Sequence, residues 1–440
     1  MTPRAADGRA SFTRPQKVRY SKLKPGPGQS AEEVRADQRA RLHSATIELV
    51  AARGFSGLTV RGIARTAGVS TRTLYAHFEN VEECFASTFR WINRRAVEQL
   101  PDAMGVSRDW ESGVREWVRT LTASVAANPH AARLVLVDAY DGGPAMLREI
   151  EAATANLERQ LAFGPVSTAL SQAILAGVER VVRNHLLEGR EAELPRLAKE
   201  LADWVLSVCE LEPLEAPGPA PGPGPAEQRP LPPTTGRKDP AFAVFESIGG
   251  DRGRILATIA RLSVAKGYWN LTTTDLRREA GVSRRTFDAL FDDIGSCYAE
   301  AGRALLTAAA RTAIAESDDS LSWASRIEQI VDRLCAEVGH SPLLARLGFI
   351  DVFTPGSTGL FRRERLLTRS TVWVRTSAPP SRRPSELAAE ASMAASWRVV
   401  QAEIGRQIEA APLLITDLIR HSGRPRPRAD RRARPFGSPS

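Results

Sequence analysis

The stretch Leu58 to Phe78, LTVRGIARTAGVSTRTLYAHF, carries residue types whose spacing suits contact with a nucleic acid rather than catalysis. Arg72 can place two donors on a guanine edge, and the methyl groups of Thr71 and Thr73 can meet thymine. Tyr75 and His77 can donate to phosphate oxygens, contacts that set register rather than sequence. Thr59 and Arg61 open the preceding segment, whose first amides can also hold a phosphate. The elements that must position these groups can be read from the same residues. Thr59 starts a short helix whose inward face is Val60, Ile63, Ala64 and Ala67. Gly68 provides a turn at positive φ, which costs least at glycine. Val69 enters the core, Ser70 caps the next helix, and Leu74 and Phe78 point inward four residues apart. Thr71, Arg72, Thr73, Tyr75 and His77 then face outward, in the layout of a helix-turn-helix.

The segment occurs twice. A shift of 213 positions lays it over LTTTDLRREAGVSRRTFDALF, Leu271 to Phe291, with eleven of 21 positions identical. Gly54 and Phe55 then fall on Gly267 and Tyr268, Ala52 on Ala265, Leu49 on Leu262 and Arg41 on Arg254. The pattern reads as a tandem duplication. The second copy is altered. Asp288 stands in place of Tyr75, Leu290 in place of His77 and Ile294 in place of Val81, while Arg284 replaces Thr71 beside Arg285 and Thr286. An aspartate facing phosphate is repelled, whereas two adjacent cations attract it. Three readings stay open here: a head for a different half-site, a weak head without sequence preference, or a head kept for packing.

Between Pro213 and Pro240 lie ten prolines, which exclude helix and sheet. Such a linker spans on the order of 80 Å when fully extended. Apolar residues at three- and four-residue spacing over Arg39–Arg53, Val166–Leu187 and Glu386–Ala410 predict helices on both sides of it. The fold class expected is all-α, in two tandem halves. The divisions are a basic disordered arm (1–38), a first helix-turn-helix domain (39–86) and a first helical domain (87–212). After the linker (213–240) come an altered second helix-turn-helix domain (241–300), a second helical domain (301–422) and a basic disordered tail (423–440). Of the net charge of +9, residues 1–24 carry +6 and residues 420–440 carry +6, which leaves −3 for everything between. The basicity thus belongs to the termini, which can lie along phosphates.

Thr59 to Phe85, TVRGIARTAGVSTRTLYAHFENVEECF, resembles the DNA-binding segment of the TetR family of transcription regulators. Asn128–Leu161, Val166–Leu187 and Leu194–Leu211 resemble that family's C-terminal domain. The resemblance implies a helical dimer, usually a repressor, released from an operator in double-stranded DNA by a small-molecule effector. It carries over Thr59, Thr71, Arg72, Thr73, Tyr75 and His77 as DNA contacts. Val81 departs from the pattern, because the family often has a lysine there that reaches the DNA backbone.

Large apolar residues at helical spacing offer candidates for an effector pocket in the first half: Trp91, Trp117, Tyr140 and Phe163. Apolar residues along Val166–Leu187 and Leu194–Leu211 suit a four-helix interface, with Glu386–Ala410 and Leu413–Arg420 in the matching place of the second half. Pairing of the two halves within one chain is expected, with a homodimer as the rival. No catalytic motif, metal cluster or cofactor is expected, and the four cysteines lie too far apart for a paired site. No apolar run reaches the length of a membrane span, so a cytoplasmic protein is expected. An architectural protein that binds DNA without sequence preference through its basic termini is the alternative reading.

Overall fold

The computed structural model describes residues 30–99, 110–160, 167–211, 239–404 and 411–422, and every element of note among them is helical. The basic termini, most of the proline-rich stretch and Phe163 lie outside the described residues.

Nine α-helices form the first run: α1 (Ala31–Arg53), α2 (Val60–Ala67), α3 (Thr71–Tyr75), α4 (Val81–Gln99), α5 (Trp110–Ala127), α6 (Pro129–Leu136), α7 (Gly143–Gln160), α8 (Thr168–Leu187) and α9 (Leu194–Cys209). The second run contains α10 (Phe242–Ile248), α11 (Gly250–Lys266), α12 (Thr273–Ala280), α13 (Arg284–Leu290), α14 (Ile294–Ala315), α15 (Trp323–His340), α16 (Pro342–Ala345), α17 (Ser357–Ser377), α18 (Glu386–Glu403) and α19 (Ala411–His421). A π-helical turn, Arg346–Ile350, follows α16.

Two boundaries differ from the sequence reading. The arm expected over 1–38 is helical from Ala31, because Ser30 and Glu33 form a reciprocal capping box at the start of α1. Helix α18 stops at Glu403, short of the expected Ala410.

The first head has its own core. Leu42, Leu49 and Val50 of α1 meet Ile63, Leu74 and Phe78 of the motif and Phe85 and Phe89 of α4. Leu134 of α6 and Met146 of α7 close this core from below, so the head rests on the helices beneath it.

A second core is continuous across the two runs. It joins Ile174, Val178 and Val181 of α8 and Leu201 and Val205 of α9 to Ala391, Ala394 and Ala395 of α18 and Ile415 and Leu418 of α19. The approach of α8 to α18 is close because Gly177 has no side chain. A Cβ there would run into the Trp204 indole and lie 2.9 Å from the Ala391 carbonyl oxygen. Trp204 Nε1 donates to Ser392 Oγ at 3.0 Å across the same seam.

Charges are buried beside this seam. Arg180, 1 % exposed, meets Glu364 and Glu390, and its Nη2 donates to Thr368 Oγ1 at 2.9 Å. Arg183 reaches Glu364 at 3.2 Å and donates from Nε to the Leu136 carbonyl at 2.9 Å. Further out, Arg398 meets Glu158 at 3.1 Å. Burial pushes the Glu390 carboxyl up to about 7, against the pull of Arg180, and lowers Arg180 to about 10.

Candidate nucleic-acid interface

Helices α2 and α3 are built by local hydrogen bonds that the sequence specifies. Thr59 Oγ1 accepts from the Gly62 amide at 3.1 Å and starts α2. Gly68, at φ +65° and ψ 33°, ends α2 in the left-handed region. Ser70 Oγ then accepts from the Thr73 amide at 3.0 Å and starts α3. Beneath this corner, Arg41 of α1 donates to the Ala67 carbonyl at 3.4 Å while its Nε meets Asp37 at 3.0 Å. A buried arginine that holds the last carbonyls of α2 fixes the angle of the turn. The sequence matched Arg41 to Arg254, but Arg254 is exposed and pairs with Asp251.

On α3, Leu74 is fully buried, and Thr71, Arg72 and Tyr75 are exposed. Tyr75 is 58 % exposed, high for a large ring, so its hydroxyl is free to meet solvent or phosphate. Arg61, Arg65 and Arg72 make no ion pair among the described residues. Thr73 is half-buried, with its hydroxyl 2.8 Å from Ser70 Oγ.

His77 is placed differently from the outward group expected. Its Nε2 lies 3.1 Å from Gln38 Oε1, and burial, helped by Arg39 and Arg35, lowers its tendency to protonate. His77, just past the end of α3, thus ties the motif to α1. His43, also on α1, is buried 2.9 Å from Thr88 Oγ1 and stacked on Trp91 at 5.3 Å, and burial lowers its pKa to about 4.

The second head has the same local construction and a different surface. Thr272 caps α12, Gly281 turns at φ +64°, Ser283 caps α13, and Phe287 and Phe291 are buried. Its cations are largely tied to acids: Arg284 to Asp288 at 3.3 Å, Arg278 to Asp275 at 2.8 Å and Arg261 to Glu279 at 3.6 Å. Arg285 is exposed without an ion pair among the described residues, and Thr286 is half-buried with its hydroxyl 2.8 Å from Ser283 Oγ.

The structure does not bring the described pocket candidates Trp91, Trp117 and Tyr140 together. Trp117 is buried in the core shared with the second run, Trp91 packs against the head's core, and Tyr140 belongs to a third cluster with Val137 and Leu360. The Tyr140 ring lies 4.8 Å from Phe353 of the second run. Sequence reasoning missed this junction and the buried arginines of α8, Arg180 and Arg183. The four thiols are free, and burial raises the pKa of each. No group of three or more metal-ligating side chains occurs among the described residues, and no helix there is long and apolar enough to cross a membrane.

Residues 42–88 match the family model described as bacterial regulatory proteins, tetR family. This segment runs from the middle of α1 into α4 and contains the whole of the first head's motif. Among solved structures, the chain is similar to the fatty acid degradation regulator FadR from Bacillus halodurans, at 21% identity and a TM-score of 0.36 over 38% of this chain and 97% of that one. The FadR of Bacillus subtilis, in complex with stearoyl-CoA, matches at 16% identity and 0.36, over 38% and 98%. A TetR family transcription regulator from Marinobacter aquaeolei VT8 matches at 22% identity and 0.30, over 38% and 95%.

Proposed function

We propose that the chain is a sequence-specific DNA-binding transcription regulator in which the first head reads DNA. The observation that carries this reading is the surface of α3: a capped helix on a fixed corner, with Arg72 exposed beside Thr71 and Tyr75 and without an ion pair among the described residues. The match of residues 42–88 to a DNA-binding regulator domain supports it. Arg72 and the methyls of Thr71 and Thr73 read bases, while Tyr75, Arg61 and the Thr59 end of α2 hold phosphates. By the resemblance drawn from the motif, the regulator is a repressor released by a small molecule.

The two runs of helices act as tandem halves that pair within one chain, imitating a homodimer. The continuous core across α8, α9, α18 and α19 supports this. So does the persistence of the 213-residue register beyond the motif. Trp110 falls on Trp323, Pro129 on Pro342 and Tyr140 on Phe353, and the Arg133–Asp138 pair falls on Arg346–Asp351. The second head reads an unlike half-site weakly, led by Arg285, so the operator is asymmetric.

Selection of bound duplexes from a random pool, with the wild type, Arg72→Ala and Arg285→Ala, tests this reading. A defined site that is lost with Arg72→Ala supports it. Equal binding by all three proteins without enrichment would mean that the +6 charge at each terminus drives non-specific binding.

A further inference from the structure

A cleft opens in the second run between α14, the π-helical turn and α17. The cavity measures about 20 Å³, room for a carboxyl group, and it opens to solvent past Leu306, Leu347 and Leu366; Tyr298 and Trp397 also line it. One charged side chain reaches it from the interior. Arg363 is 6 % exposed, its guanidinium lies 5.5 Å from the Phe353 ring and 5.4 Å from the Trp397 ring, and its Nη1 donates to Glu364 Oε1 at 2.8 Å. Its Nε is buried without a hydrogen-bond partner among the described residues. A buried donor left unpaired is costly and calls for an acceptor.

The mouth of the cleft is positive as well. Arg303 and Arg362 line it, and both lean on the single carboxylate of Glu300, which also takes Arg252. Three cations on one anion leave an excess that draws anions inward. Burial lowers Arg363 to about 9, which still leaves the guanidinium charged at neutral pH and short of anionic partners. A π-helical turn at the wall fits a ligand site, because such turns recur where backbone geometry serves binding.

From this cleft a line of contacts runs to the first head. Phe353, under Arg363, packs on Tyr140, and Asp141 Oδ1 accepts from the Ser357 amide at 2.8 Å, capping α17 from the other run. A Cβ on the next residue, Gly142, would lie 3.4 Å from the Phe85 ring. That ring meets Phe55, just before α2, edge-on at 4.8 Å.

We propose that this cleft takes a short-chain monocarboxylate, its head on Arg363 and its hydrocarbon part on Leu306, Leu347 and Leu366, and that the first head responds to it. The inference rests on the DNA-reading role given above for its second half only, because binding of the acid is measurable without DNA. A carboxylate at Arg363 competes with Glu364 and draws the guanidinium off Phe353. That shifts Tyr140 and the Asp141 cap, and with them the support of Phe55 and α2.

The test is calorimetric titration of the full chain with butyrate, with butanol and inorganic phosphate as comparison ligands. Butyrate is expected to bind, butanol and phosphate at least tenfold more weakly. Arg363→Met is expected to lose butyrate at least tenfold. Leu366→Trp, which fills the half-buried mouth without removing a charge, is expected to lose it as well, with the helical circular dichroism signal retained. Equal binding of butanol, tighter binding of phosphate, unchanged binding by Leu366→Trp or no binding at all would overturn the site. Butyrate at saturation is expected to weaken selected-duplex binding at least fivefold in wild type and not in Leu366→Trp. Unchanged DNA affinity with butyrate bound would overturn the coupling alone, and failure to select any duplex would count against the DNA-reading role alone.

Discussion

Trp204 and Ser392, 188 positions apart in sequence, share a hydrogen bond of 3.0 Å buried within the seam where α8 and α9 meet α18. Gly177 lies beneath the same indole. A hydroxyl, an indole and a missing side chain therefore define one place where the two runs of helices touch most closely.

Replacing Gly177 by leucine should force α8 off α18, because the added carbons meet both the Trp204 ring and the Ala391 carbonyl. Overpacking of this kind costs about 3 kcal/mol. Urea denaturation should show that loss, and small-angle scattering should show a larger radius of gyration. A variant as compact and as stable as the wild type would contradict the seam.

The Glu390 carboxyl, pushed up to about 7 by burial, gives stability a defined pH dependence. A raised folded-state pKa means that the folded state holds the proton more tightly. Its contribution is therefore complete below the unfolded pKa near 4.5 and is lost as pH rises through about 7. The Glu390→Gln variant keeps a neutral group there and should lose that part of the slope, on the order of 3 kcal/mol between pH 4.5 and 8. Asp138, raised to about 6 by burial, slopes the same way, so the comparison of the two proteins is the measurement.

On a selected duplex, Arg72→Ala should weaken binding by about 1–3 kcal/mol and relax preference at one position. Arg285→Ala should do less, because the surface around it is already balanced by acids. Equal losses in a gel-shift titration would mean that both heads read equally.

Asp288→Ala removes the partner that holds Arg284 at 3.3 Å. The freed cation should reach phosphate and steepen the dependence of log affinity on log salt by about 0.9. A slope unchanged between 50 and 200 mM salt, conditions chosen from that same relation, would show that α13 never approaches DNA.

The motif was legible because its construction is local. Thr59, Gly68 and Ser70 act within a few residues of themselves, and their caps and turn fall where spacing puts them. The start of α1 is set by Ser30 and Glu33, a capping box that lies inside the stretch whose basic composition predicts an unfolded arm. Tyr140 shows what spacing does not carry. It is aromatic and apolar enough for a pocket, yet its neighbour Phe353 comes from another run of helices. Arg180, Arg183 and Arg363 look like any helix cations in sequence, and only the meeting of α8 with α17 and α18 buries them. His77, expected on the outward face of the second helix, lies past the end of α3 and bonds to Gln38 of α1.

The continuous core that joins α8 and α9 to α18 and α19 within a single polypeptide also bears on how such a molecule behaves when scarce. Separate subunits fall apart on dilution and exchange with unequal copies, so occupancy of a two-part target then scales with the square of their number. Parts that share one backbone arrive together at any copy number and respond to dose in direct proportion. Under the pairing within one chain proposed above, each part is also free to diverge without entering a mixed assembly. Asp288 and Leu290, standing where the first motif has Tyr75 and His77, are substitutions that such independence would allow.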